Sequence, residues 1–354
     1  MDRTPPSLTS HLTWPAILRL GLVQTSLGGV VVLMTSTLNR VMVVELALPA
    51  LVPGLLVAIH YAVQVLRPRW GYGSDRTGSR TPWIVGGMAA LCLGGFGAAC
   101  GTALAQTHLA AGLALAALSF LLVGLGVGAA GTSLLVLLAG GVAPARRGAA
   151  ATLVWVMMIL GFALTAPLAG HFLEPFTVGR LMAVSGTVSL VAFCVASLAV
   201  TGIEARLPVA RPEPVEAKPP FFRVLGKVLA DPVARRFTIF VFVSMLAYSA
   251  QELILEPYAG LVFAMGPGAT TKLAGLQHGG VLAGMLLVAA VTLLAKGTAL
   301  ASLRLWIVVG CGASAMALFA IAAGAPPGPT SPCAGPSSPS ASPTASTRWP
   351  PSAR

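Results

Sequence analysis

Long apolar runs constrain this chain more than any other feature of its sequence. Several of them reach about 20 residues, the length that an α-helix needs to cross the hydrocarbon core of a bilayer. Of the 354 residues, 56% are hydrophobic and 9% are charged, whereas soluble domains carry about 25% charged residues. A spanning β-barrel would need short strands of alternating polarity, and the sequence has no such pattern. We therefore predict an all-α, polytopic helical membrane protein.

The apolar runs predict about nine membrane spans. Pro49 and Pro53 predict a kink in the second span, and Pro257 predicts that the seventh helix breaks there. The glycine-rich run 124–131 in the fourth span predicts close helix packing. The predicted spans are about 14–37, 45–66, 83–105, 109–142, 149–170, 181–201, 237–263, 273–294 and 305–323.

The charge distribution indicates how the chain lies in the membrane. Most Lys and Arg residues fall in the turns 67–80, 146–147 and 206–236, while the opposite turns hold Arg40, Arg180 and Lys272. Basic loops stay on the cytoplasmic side, which predicts a multi-pass inner-membrane protein with a cytoplasmic N-terminus. The net charge of +12 is thereby explained by topology, and we predict no nucleic-acid partner. The five cysteines show no paired spacing, so we predict no disulfide and no metal site.

Polar residues inside the predicted spans are the candidate functional residues, because ionisable groups in a membrane are costly and usually have a role. Glu252 and Glu256 are four residues apart and share one helix face. The alternative interpretation is a hydrated helix end. None of these residues is predicted to be catalytic. The candidate pigment or substrate residues are His60, Gln251, Glu252, Glu256 and His278.

Arg40 and Glu45 are oppositely charged and close in sequence at a predicted helix end. Two interpretations are open. They form an interfacial ion pair that anchors the helix, or they form an external gate or partner surface.

The loop between the second and third spans resembles the signature loop of the major facilitator superfamily. Its pattern is Gly-x-x-Ser-Asp-Arg-x-Gly-x-Arg, with Gly71, Asp75, Arg76, Gly78 and Arg80 as the matching residues. In that superfamily the Asp and Arg latch helix ends across the two halves of the bundle. The resemblance implies a facilitator-type bundle with about nine of its twelve helices present. The alternative is a charged turn that only sets topology.

Two longer runs are similar to the PucC family, a branch of the facilitator fold in photosynthetic bacteria. They are residues 37–46, and residues 251–260 continuing to 268–271. The resemblance implies bacteriochlorophyll handling and light-harvesting complex assembly, with bacteriochlorophyll as a bound ligand and no required cofactor. It also implies membrane lipid, light-harvesting subunits and pigment-synthesis enzymes as partners. His60 could then ligate the pigment magnesium, titrate in a proton-coupled cycle, or hydrogen-bond between helices.

Two other functions are weighed against this one. A secondary transporter of a small solute is the alternative that a facilitator-type bundle would also support. A pigment-tail-attaching enzyme would need an Asp-rich magnesium–diphosphate motif, which the sequence lacks, so we predict no enzymatic activity.

Composition divides the chain into four parts: an N-terminal six-helix half (1–201), a basic and Pro-rich cytoplasmic linker (202–232), a partial C-terminal half (233–324) and a tail (325–354). The tail holds nine of the 27 prolines and no Leu, Ile, Val, Phe or Met. It can neither span a membrane nor build a core, so it is predicted to be disordered. Such a composition is typical of a shifted reading frame in a GC-rich gene.

The frameshift hypothesis has a direct test. We expect one of the other two reading frames, translated downstream of Gly324, to encode about three further apolar segments of spanning length. Resequencing the gene around this codon provides the measurement. If neither frame encodes such segments, the tail is the native continuation of the chain.

Overall fold

The structure is a computed structural model that describes residues 11–67, 69–70, 79–206, 223, 226, 229–295, 298 and 302–324. Within these ranges the chain forms helices and turns and no strand. Most of the signature loop lies outside the described residues, including Gly71, Asp75, Arg76 and Gly78. The same holds for most of the predicted linker (207–222) and for the tail (325–354).

Eight helices in the described ranges are long and apolar enough to cross a membrane, which confirms the predicted helical membrane class. The shorter apolar helix α2 continues as a 3₁₀ turn to Leu66. The α-helices are α1 Trp14–Val32, α2 Leu51–Ala62, α3 Thr81–Leu104, α4 Leu109–Gly141, α5 Arg147–Phe172, α6 Val178–Val200, α7 Pro232–Phe263, α8 Pro267–Leu294 and α9 Leu303–Ala323.

The first helix is longer than predicted. It continues beyond α1 as two π-helical segments, Leu33–Leu38 and Val41–Glu45, so the predicted end near Thr37 is wrong. The Ser, Thr, Asn and Arg side chains of this stretch interrupt the apolar run, but they are buried and have partners elsewhere in the bundle. A hydropathy pattern cannot distinguish such a segment from a loop. We name residues 33–45 the π segment.

Three prolines behave differently from the prediction. The second helix begins at Leu51, so Pro49 precedes it and Pro53 lies in its first turn. Proline is compatible with a first turn because no helical hydrogen bond is lost there, and the predicted kink is wrong. Helix α7 continues past Pro257 to Phe263, so the predicted break is wrong as well.

Close glycine contacts set the spacing between α3 and α4. A Cβ atom added to Gly87 would lie 2.5 Å from the backbone nitrogen of Ala130, and one added to Gly126 would lie 2.4 Å from that of Leu91. The two backbones therefore touch where neither helix has a side chain. This confirms the prediction that the 124–131 run packs closely.

The described residues divide into two units, one ending at Leu303 and the other beginning at Arg304. In the first unit, α1 packs on α5 and α6, α8 packs on α5, and α7 packs on the π segment. The second unit contains most of α9, an apolar helix of spanning length. The four-part division by composition stays a prediction.

Neighbouring glycines in α3 provide a matched test of this packing. We expect Gly87→Ala to lower the free energy of unfolding by about 1–3 kcal/mol, because the new methyl group collides with backbone. Gly86→Ala should be neutral or slightly stabilising, since a Cβ there meets nothing within 4 Å and alanine is the better helix former. Unfolding in detergent measures both. Equal effects at the two positions would contradict the packing.

Candidate functional site

The two carboxylates of α7 are buried against the π segment. Glu252 is 8% exposed and Glu256 is 1% exposed. The Thr35 hydroxyl donates a hydrogen bond to Glu252 Oε1 at 3.0 Å, and the Ser36 hydroxyl donates to Glu256 Oε1. The shared helix face predicted from the spacing of the two acids therefore points inward. We name Thr35, Ser36, Glu252, Glu256 and His278 the carboxylate cluster.

Helix α8 completes the carboxylate cluster with His278. Its Nδ1 lies 2.8 Å from the carbonyl oxygen of Ala274, so Nδ1 is the donor and the neutral ring keeps its lone pair on Nε2. Nε2 lies 4.0 Å from Glu252 Oε1. The Phe162 ring of α5 packs edge-on against the imidazole, with centroids 4.8 Å apart. Nearby, Thr37 and Thr271 bring their hydroxyl oxygens to 3.0 Å.

Two polar atoms of the carboxylate cluster remain available to accept a hydrogen bond. Glu256 Oε2 and His278 Nε2 are buried and make no hydrogen bond of standard geometry to the described residues, although the Thr270 side chain lies beside the Glu256 carboxylate. Buried polar atoms in native proteins are nearly always paired, so unpaired ones indicate a functional role or an unseen partner. These two atoms can accept a hydrogen bond or a proton. The described residues contain no group of three or more His, Cys, Asp or Glu that could hold a metal ion.

Asn39 explains why α7 can pass through Pro257. Proline has no N–H, so the carbonyl of Leu253, four residues earlier, loses its helical partner. The Asn39 side chain donates to that carbonyl at 2.6 Å. The π segment thus supplies from outside the hydrogen bond that the α7 sequence cannot make.

Arg40 and Glu45 form an ion pair within the π segment. Arg40 is 2% exposed and also donates to the carbonyl of Met265, just after α7, at 2.6 Å. The Arg40 guanidinium fits there because Gly260 has no side chain: a Cβ at Gly260 would lie 3.1 Å from Arg40 Nε. The ion pair therefore also holds the end of α7, and its role as an external gate stays a prediction.

The remaining candidates, His60 and Gln251, are not members of the carboxylate cluster, although Tyr61, next to His60, is close enough to Glu252 for an electrostatic interaction. His60 is buried on α2, with its backbone against Gly124 of α4. Its Nε2 lies 3.3 Å from the Gln64 side-chain nitrogen. Gln251 is half-buried on α7. The predicted pigment or substrate residues thus separate into Glu252, Glu256 and His278 in one cluster, with His60 on another pair of helices.

The one described member of the signature loop, Arg80, lies at a helix start that is capped from far along the chain. The Glu204 carboxylate, just after α6, accepts hydrogen bonds from the backbone N–H groups of Arg80 (2.6 Å) and Thr81 (2.9 Å). It also accepts the hydroxyl hydrogen bonds of Ser79 (2.9 Å) and Thr81 (2.7 Å). Partial burial alone would raise the pKa of Glu204, but these four hydrogen bonds outweigh it and lower the pKa.

Sequence reasoning did not identify Glu204, Asn39 or the hydroxyl row Thr35–Ser36–Thr37. The row had a readable signal, because three successive hydroxyl side chains in an apolar helix need partners in lipid. For Glu204, the signal is that the first turn of α3 has no acidic residue of its own.

Comparison with known proteins places these features in a family context. The family model described as "PUCC protein" matches residues 37–326. The chain is 52% identical over 312 residues to the "Bacteriochlorophyll synthase 44.5 kDa chain" of Rhodobacter capsulatus, covering 88% of this chain and 72% of that protein. It is 33% identical to "Protein PucC" of Rhodovulum sulfidophilum and 31% identical to "Protein PucC" of Rhodobacter capsulatus. It spans 62% and 61% of the lengths of these two proteins.

A double-mutant cycle tests the role assigned to Asn39. Asn39→Leu should lower the free energy of unfolding by about 1–2 kcal/mol, because it leaves the Leu253 carbonyl without a donor. In a Pro257→Ala background the new N–H at position 257 can serve that carbonyl, so the same change should cost clearly less. Unfolding of the four proteins in detergent gives the coupling. An identical cost of Asn39→Leu in both backgrounds would contradict the assignment.

Proposed function

The chain belongs to the PucC family, and we propose that it is a non-enzymatic membrane factor that handles bacteriochlorophyll during the assembly of light-harvesting complexes. The proposal places it in the inner membrane of a photosynthetic bacterium, with the N-terminus in the cytoplasm. Bacteriochlorophyll appears in the name of a 52% identical relative. Light-harvesting subunits and pigment-synthesis enzymes are the proposed partners.

One observation supports this proposal more than any other: the runs that carry the family resemblance meet in space. Thr37 and Asn39, from the first run, contact Thr271 and the Leu253 carbonyl of the second. Arg40 reaches Met265, which follows α7. Residues far apart in the chain therefore form one contact region between the π segment and helices α7 and α8. We propose that this contact region is the functional site of the protein.

The chemistry of the carboxylate cluster suits a bacteriochlorin. Such a pigment offers a magnesium that takes an axial nitrogen or oxygen ligand, and peripheral carbonyls that accept hydrogen bonds. His278 Nε2 has the lone pair for the first task, and a protonated Glu256 is a donor for the second. Nε2 is now enclosed by Glu252 and Phe162. Binding through this nitrogen thus requires α8 to separate from its neighbours, which couples pigment uptake to loosening of the contact region.

A secondary transporter of a small solute is the second candidate. The observation that favours it is the burial of two acids and a histidine where the π segment meets α7 and α8. Genomic neighbourhood separates the candidates, since pigment-synthesis genes favour the first and a solute-catabolism operon favours the second. A catalytic contribution, to which the word "synthase" in the relative's name points, predicts turnover of a pigment precursor by the purified protein.

Pigment retention provides the test. Protein purified in detergent from a pigment-producing host should carry bacteriochlorophyll, measured by absorption per mole of protein. Glu256→Leu should reduce the retained pigment about tenfold, because it removes the hydrogen-bond donor that the proposal assigns to Glu256. Glu256→Gln, whose amide can still donate, should retain more pigment than Glu256→Leu. Glu174→Leu is the control. Glu174 pairs with Lys272 at 2.8 Å in an exposed position, where an ion pair contributes little.

The outcomes separate clearly. A pigment-free wild-type preparation from pigment-producing cells would reject direct pigment handling. Equal retention in the Glu256→Leu and Glu174→Leu proteins would mean that the α7 acids only anchor the helix. Antenna levels after complementation with the same variants provide the second readout.

A further inference from the structure

A deep apolar groove runs along the outer side of α6, away from the carboxylate cluster. Its volume is about 600 Å³, and helices α1, α5 and α6 form its walls. Several of its residues are largely exposed, among them Leu168 (60%), Phe172 (62%) and Val191 (54%). The groove is lined by Thr25, Ser26, Gly29, Thr165, Leu168, Ala169, Phe172, Arg180, Ala183, Val184, Thr187, Val188, Val191, Ala192 and Val195.

The groove has the dimensions of one long hydrocarbon chain. Along α6 its lining extends from Arg180 to Val195, a distance of about 22 Å at 1.5 Å per residue. Half of the hydrocarbon core is about 15 Å thick, so the groove runs from one membrane surface past the midplane. Its volume of about 600 Å³ leaves room for the methylene groups of an acyl chain beside α6.

The inner wall of the groove is apolar even at Thr25 and Thr165, because their hydroxyl groups face other helices. The Thr25 hydroxyl is turned into the helix bundle, where it donates to the carbonyl of Met157 at 2.9 Å. Gly29 approaches Thr165, whose hydroxyl would lie 2.7 Å from an added Cβ. These contacts hold α1 against α5 and form the floor of the groove. A polar ligand would find few partners along it.

The mouth of the groove is positively charged. Arg180 lines it at the start of α6 and donates to the backbone carbonyl of Glu174. The Glu174 carboxylate is engaged by Lys272 at 2.8 Å. Among the described residues no ion pair neutralises Arg180. A guanidinium without an ion-pair partner at a membrane surface can form charge-assisted hydrogen bonds with the phosphate of a headgroup.

We propose that this groove is a binding site for an anionic phospholipid. One acyl chain lies along α6, and the phosphate pairs with Arg180. The groove shares no lining residue with the carboxylate cluster, so this proposal does not rest on the proposed pigment handling. The lipid joins the outer faces of α1, α5 and α6.

Lipid counting after delipidation tests the site. The full chain is reconstituted into vesicles of equal parts phosphatidylglycerol and phosphatidylcholine, re-extracted with detergent and analysed by native mass spectrometry. We expect about one retained phosphatidylglycerol per protein. Arg180→Gln should lower its enrichment over phosphatidylcholine about fivefold, and Arg180→Lys should restore most of it. The control is Arg236→Gln, at an exposed position near the start of α7, which should leave the enrichment unchanged.

A second variant tests the groove itself. Ala183→Trp places an indole in the groove and should abolish retention of either lipid. If this protein does not fold, Val191→Trp on the exposed rim serves instead. The proposal is overturned if Arg180→Gln and Arg236→Gln retain equal phosphatidylglycerol, or if filling the groove changes nothing. It is also overturned if the filled variant loses a bound pigment while its phospholipid count stays the same, because the groove then holds the pigment tail.

Discussion

The contact between the π segment and α7 depends on the absence of water in a bilayer. A polar group in hydrocarbon can be satisfied only by another group of the protein. Helix α7 brings three such needs to one face: two carboxylates and the carbonyl released by Pro257. The π segment answers them with Thr35, Ser36 and Asn39. The polar faces of the π segment and of α7 would each be costly in lipid without the other. The hydrogen bonds between them therefore determine how the two segments pack.

Helices α3 and α4 are held together by close packing of their backbones. Lipid tails are as apolar as leucine, so apolar helices gain little by exchanging lipid for one another unless their backbones come close. The glycines of α3 and α4 allow that approach, since a Cβ at Gly87 or Gly126 would overlap the neighbouring backbone. Hydrogen bonds between polar side chains join the π segment to α7, whereas close backbone contact joins α3 to α4. Both kinds of contact stabilise helix packing in a bilayer.

The parts of the fold that could be predicted are those set by local sequence. Helices α3 to α6 lie within a few residues of the predicted spans, because apolar length is a local property. The parts that could not be predicted depend on distant partners. The π segment continues α1, and α7 continues past Pro257. Both features depend on hydrogen bonds between residues more than 200 positions apart, Thr35 with Glu252 and Asn39 with the Leu253 carbonyl. The candidate site divides similarly: the spacing of Glu252 and Glu256 predicts a shared face, whereas nothing local to His278 or His60 indicates which of them joins it.

The cap on α3 also has a consequence for the order in which the protein is made. Glu204 follows Thr81 by 123 residues, so the ribosome must synthesise α3 to α6 before the carboxylate exists. At about 5–20 residues per second, the start of α3 waits roughly 6–25 s for its cap. During that interval the backbone N–H groups of Arg80 and Thr81 lack the hydrogen bonds of this carboxylate. The cap of α3 can therefore form only after α6 has been synthesised, which makes the start of an early helix depend on a residue that follows the third helix after it.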